Sequence, residues 1–133
     1  MISAKVTGSS NHDLLEEYKE MIQHFTDQRL DLFKANIEAE REKDSIKLDS
    51  LNIVFKNVQR KKYLYTTNFA VNHADKEIAP YLALTELYNA KLMLLDTVNN
   101  SLTEEIKNSK YGKQLDRFIR VIRENEISTF ENN

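Results

Sequence analysis

Apolar residues recur at steps of three and four along the first third of the chain: Leu14, Leu15, Tyr18, Met21, Ile22, Phe25, Leu32, Phe33 and Ile37. That spacing predicts one long amphipathic helix, since side chains three and four residues apart share a helix face. Ahead of it, residues 2–6 alternate apolar with polar, and Thr7, Gly8, Ser9 and Ser10 break the alternation. Residues 1–9 therefore read as the last strand of a preceding β domain or as disordered chain, because an isolated strand leaves its backbone unpaired. Ser10 or Asn11 is then the expected cap of the first helix, with Asp13, Glu16 and Glu17 near its positive end.

The charged, weakly patterned run from Glu38 to Asp49 is compatible with a turn or with solvated helix, and a break is expected at Lys43–Ser45. A second helix follows, with Ile46, Leu51, Val54, Phe55, Val58, Tyr65 and Phe69 on one side, ending around residues 72–74. Pro80 belongs in or near the first turn of a third helix, where a missing N–H matters least, and Ile78, Tyr81, Leu82, Leu84, Leu87 and Tyr88 form its apolar face. The run Leu92, Met93, Leu94, Leu95 predicts a short buried piece, and Asn99, Asn100 and Ser101 a turn. Thr103 is the expected cap of a short helix with Glu104 and Glu105 in its first turn. Asn108 or Ser109 should cap the last helix, which buries Leu115, Phe118, Ile119 and Ile122. A tail over residues 126–133 has little to order it.

These elements make an all-α fold: a helical bundle of about five helices over residues 10–125, with a long N-terminal antiparallel helical hairpin and shorter C-terminal helices. Two helices of about 28 residues are each roughly 42 Å long at 1.5 Å per residue. A compact domain of this length has a radius of gyration of only roughly 14 Å. Some of the apolar stripe of the hairpin should consequently stay uncovered by the shorter helices and meet another domain or a second copy of the chain.

Composition sharpens this picture. Two Gly and one Pro in 133 residues, with 30% charged and 41% hydrophobic residues, suit a single helical domain. A formal net charge of -2 gives no general attraction to nucleic acid or anionic membranes. No apolar run approaches a membrane span, and the residues after Met1 lack the pattern of a secretory leader, so no direct membrane insertion is expected. With no cysteine, the chain has no disulfide, no thiol nucleophile and no thiolate metal site.

Candidate chemistry is sparse. Glu16, Glu17, Glu20 and His24 gather acids and an imidazole near one helix face, but a di-iron bundle site needs Glu-x-x-His pairs on two helices. Neither Glu20 with His24 nor the residues before His73 provide one, so an ordinary solvated acidic face is the reading, with no metal or cofactor. His12, His24 and His73 stand in no triad-like relation to Ser or Asp, and no catalytic residue is assigned. The run from Gln59 through Arg60, Lys61, Lys62, Tyr63, Leu64 and Tyr65 mixes cations with aromatics. Three cations in a slightly acidic chain are better explained by a wet face with the tyrosines turned inward, and no nucleic-acid partner is expected. Lys113, Arg117, Arg120 and Arg123 follow helical spacing and are expected to serve salt links between helices or domains.

The passage LTEEIKNSKYGKQLDRFI, preceded by a Pro80-initiated helix ending in LTELY, resembles the helical region of extracytoplasmic thioredoxin-like proteins of the TlpA/ResA type common in the Bacteroidetes. In that family a small β domain leads through a helical segment into a thioredoxin fold. Leu102, Thr103, Ser109, Tyr111, Gly112 and Lys113 occupy the positions of its Leu, Ser/Thr-led short helix and Ser-x-Tyr-Gly-Lys helix start. Val6, Thr7, Gly8 and Ser9 are similar to the β-edge run that precedes its long polar helix. The family's Cys-x-x-Cys redox site has no counterpart here, so no catalytic position is carried over. What the resemblance implies is a non-catalytic spacer or interaction module, in the periplasm or cell envelope, of a parent thiol-disulfide oxidoreductase. Ser109, Tyr111, Gly112, Lys113 and Arg117 would be its interaction segment, and the rest of the parent chain, or a second copy in a homodimer, its partner. The alternative is a free-standing helical adaptor that binds a protein through the first hairpin.

Overall fold

The computed structural model describes the backbone of residues 3–132 and the side chains of residues 11–126. Six helices and no strand are found among the described residues: α1 (Ser3–Arg41), α2 (Ser45–Asn72), α3 (Ile78–Glu86), α4 (Leu92–Ser101), α5 (Glu104–Lys107) and α6 (Lys110–Asn132). The fold is therefore all-α. Contacts divide it into two units, one made of Met1–Leu14 and Tyr63–Asn133, the other of Leu15–Lys62.

The Leu15–Lys62 unit is an antiparallel hairpin built from parts of α1 and α2. Ala39 on α1 and Val58 on α2 are buried, and Phe25, Leu32 and Ala35 on α1 and Leu48, Leu51 and Phe55 on α2 are half-buried. Steps alternating around three and four keep each set on one seam, the pattern of paired helices. Across that seam the Arg29 guanidinium lies 5.5 Å from the centre of the Phe55 ring. Tyr18 and Ile22 continue the α1 stripe and are buried.

The reversal between the two helices falls where a break was expected, and the backbone shows how it is made. The Asp44 N–H donates to the Ala39 carbonyl at 3.0 Å and the Lys43 N–H to the Glu40 carbonyl at 3.1 Å. Lys43 sits at φ 56, so this is a Schellman turn with lysine at the left-handed position. Asp44 then starts α2 by accepting the Lys47 N–H on Oδ1 at 3.1 Å. A β-carbon in the left-handed region costs about 1 kcal/mol, and glycine escapes that penalty. Lys43→Gly is accordingly expected to raise the unfolding free energy by about 0.5–1 kcal/mol, with no such gain for Lys43→Ala. Urea denaturation followed by circular dichroism measures both.

In the other unit α6 is the central element, and α3, α4 and α5 all pack on it. Leu115 and Ile119 of α6 are buried with Ala79, Ala83, Leu87, Leu95, Val98, Leu102 and Ile106 in one core cluster that Ala70 joins from α2. Two polar contacts bind chain segments far apart in sequence. Asn11 Oδ1 accepts the Ile78 N–H at 3.2 Å and so caps α3, a bond that links positions 67 residues apart. The Thr103 N–H donates to the Ala74 carbonyl at 3.3 Å, tying the start of α5 to the connection after α2.

Several local expectations need correcting. The backbone is already helical from Ser3, so Ser10 and Asn11 lie inside α1 and not at its start; Met1 and Ile2, part of the expected β run, lie outside the described residues. A single interior glycine costs a helix only about 1 kcal/mol relative to alanine, and extending an existing helix needs no new nucleus. The same argument covers the C-terminal end, where α6 continues to Asn132 with no Gly or Pro after Asn125 to stop it, and Asn133 lies outside the described residues. Asn99, Asn100 and Ser101 form the last turn of α4, and the chain reverses at Leu102 and Thr103 instead. Leu102 is extended there and buried in the core, which fixes where the helix must end. Tyr88 is exposed, although its spacing matched the buried face of α3, because α3 ends at Glu86 and Tyr88 falls in the connection beyond it. Met93, in the apolar run after it, is exposed as well, while Leu95 is fully buried.

Candidate functional site

Two surface features carry candidate function. The first is the α5–α6 corner. Thr103 Oγ1 accepts the Ile106 N–H at 3.4 Å and caps α5. Ser109 Oγ accepts the Gly112 N–H at 3.2 Å and donates to the Ile106 carbonyl at 2.6 Å, so one hydroxyl caps α6 and holds the last turn of α5. Both caps match the Ser/Thr expectation for these positions. Gly112 is buried where the corner is tightest, and a β-carbon on it would lie 1.9 Å from the Ile106 carbonyl oxygen. Tyr111 packs edge-on against Tyr81 of α3, with ring centres 5.4 Å apart.

The five residues expected to form an interaction segment thus separate by role. Ser109, Tyr111 and Gly112 are spent on holding α3, α5 and α6 together. Lys113 and Arg117 are exposed and face a cleft of about 470 Å³. Its wall comes from Asn99 of α4, from Glu104 and Lys107 of α5 with the adjoining Asn108, and from Gly112, Lys113, Asp116, Arg117 and Arg120 of α6. Asp116 is already occupied, by Arg120 Nη2 at 2.8 Å and Asn99 Nδ2 at 3.4 Å. Arg123 reaches Asp96 of α4, so the expected salt link between helices exists there, whereas Arg120 pairs within its own helix. Both pairs are open to solvent on at least one side and stabilise little. Lys107, Asn99 and Asp116 were not singled out by spacing. The approach of Lys107 to α6 depends on the tight corner at Gly112, and only that glycine signals it in the sequence.

The second feature is on the hairpin unit. Leu30, Phe33 and Ile37 form a second apolar stripe on α1, off the buried seam, and Ile46, Ile53 and Val54 stand out of α2. Phe33 is 63% exposed, Ile53 62% and Ile46 79%. Isolated exposed apolar residues are ordinary, but with Met21 there are seven in the Leu15–Lys62 hairpin, a concentration that calls for a covering surface.

Among the described residues no group of three His, Asp or Glu side chains is placed to hold a metal ion. Glu16, Glu17, Glu20 and His24 are all exposed. His73 packs against Phe69 with the rings tilted and their centres 4.6 Å apart. Among the described residues, no helix is long and apolar enough to cross a membrane. No family model, curated protein or solved structure matches the chain.

Proposed function

We propose that this chain is a non-catalytic helical module that works by protein contact, as the spacer and interaction segment of an extracytoplasmic thioredoxin-like parent. The supporting observation is the exposed apolar set of the hairpin unit, Leu30, Phe33, Ile37, Ile46, Ile53 and Val54, which a contact with further polypeptide would cover. With no cysteine, thiol-disulfide exchange cannot take place on this chain, and in the parent it belongs to another domain. The α5–α6 corner, held by Ser109, Tyr111 and Gly112, gives the module a tightly packed local surface.

The coding locus tests this reading. A single reading frame that carries a β domain ahead of this segment and a Cys-x-x-Cys thioredoxin domain after it is the expected result. A frame that encodes these residues alone overturns the spacer reading. It would leave the second one, a free-standing adaptor that uses the same exposed hairpin residues to hold a separate protein or a second copy.

A further inference from the structure

We infer that the cleft between α4, α5 and α6 is a binding site for a small phosphate-type oxyanion, held by Lys107, Lys113 and Arg117. Four cations and two acids line this cleft, an excess of two positive charges on a chain whose formal net charge is -2. One of the acids, Asp116, is paired with Arg120 and also accepts a hydrogen bond from the Asn99 amide. That leaves three cations against the single carboxylate of Glu104.

The charged side-chain ends of Lys107, Lys113 and Arg117 form no hydrogen bond or ion pair with the described residues, although acids are abundant elsewhere on the surface. Like charges held around one concavity without counter-charges repel one another, and an anion in their midst relieves that repulsion. Geometry adds to charge. Lys113 and Gly112 lie in the first turn of the 23-residue α6, so the positive end of its dipole bears on the same cleft. Arg117, one turn further on, presents a planar fork suited to two oxygens of one anion, and the lysines act as point charges. Asn108 adds an amide to the wall, though its Nδ2 already donates to the Glu104 carbonyl at 3.0 Å. The close backbone approach at Gly112 brings Lys107 of α5 to the same cleft as Lys113 and Arg117 of α6.

The test is a titration of the whole chain with inorganic phosphate, followed by backbone amide chemical shifts, with citrate as a second arm to separate a phosphate from a carboxylate preference. The expected result is saturable shifts confined to α5 and the first turns of α6, with a Kd of roughly 1 mM that weakens as sodium chloride is raised. The double substitution Lys113→Gln with Arg117→Gln should weaken binding by at least about tenfold, since it removes two charge-assisted bonds. Arg60→Gln with Lys61→Gln, the same charge change on α2, should leave it unchanged. Lys107→Gln alone gives an intermediate loss and serves if the double variant is unstable. Tighter binding of citrate than of phosphate overturns the phosphate assignment. Shifts spread evenly over exposed lysines, equal weakening by the α2 pair, or no saturation overturn the site itself.

Discussion

Gly112→Ala loses about 3 kcal/mol of folding free energy and lowers the thermal midpoint by roughly 10 °C. The sign is what makes this informative. Alanine is the better helix former by about 1 kcal/mol, so on an open helix surface the substitution would stabilise. Here the new β-carbon would stand 1.9 Å from the Ile106 carbonyl oxygen and 2.9 Å from both the Ile106 carbonyl carbon and Lys107 Cα. All three atoms are backbone, so no side chain can rotate away, and α5 must separate from α6. That movement breaks the Ser109 hydroxyl bridge to Ile106 and loosens the burial of Ile106 itself. Thermal and urea unfolding followed by circular dichroism decide the matter, with the exposed neighbour change Gln114→Ala as a control expected to stay within about 0.5 kcal/mol. A Gly112→Ala chain more stable than the parent would show that the α5–α6 corner is not closed as described.

Leu115→Ala costs a comparable amount, about 3–4 kcal/mol. Leu115 is fully buried on α6, in the cluster where the side chains of α3, α4 and α5 meet. Truncation removes buried methyl groups and leaves a cavity whose walls come from several helices at once, so no single element can collapse to fill it. On the same helix Val121 is 48% exposed, and Val121→Ala should change stability by less than about 0.5 kcal/mol. Urea midpoints of the two variants give the comparison directly. A small loss at Leu115 would mean that α6 is peripheral to the core.

The architecture was largely legible because the signals were local. Thr103 and Ser109 announce helix starts through their hydroxyls, Pro80 marks the first turn of α3, and the hairpin reversal at Lys43 follows from a loss of apolar periodicity. What stayed hidden depended on distant partners. Asn11 looks like the cap of its own helix but caps α3, because an amide oxygen on a helix surface serves whichever unsatisfied N–H lies opposite it. The end of α4 is set by burial of extended Leu102, which overrides the turn preference of Asn99 and Asn100. For the candidate site, Lys113 and Arg117 could be named from helical spacing, whereas Lys107 and Asn99 join them only once α5 and α4 pack on α6. Nothing in the order of residues distinguishes the apolar positions of α1 that face the seam from Leu30, Phe33 and Ile37, which do not. Both sets keep three- and four-residue steps, and only the partner helix decides between them.

The amide of Asn11 grips the start of α3 from 67 residues away, and the chain between those two positions includes the whole Leu15–Lys62 unit. The entropy of bridging such an interval grows only logarithmically, by about 0.6 kcal/mol for each doubling. Insertion of seven residues in α1 with seven in α2 would preserve the seam pairing and leave the Asn11 tie almost undisturbed. The reach of the hairpin is therefore a dimension that evolution, or a protein engineer, can reset without rebuilding the core around α6.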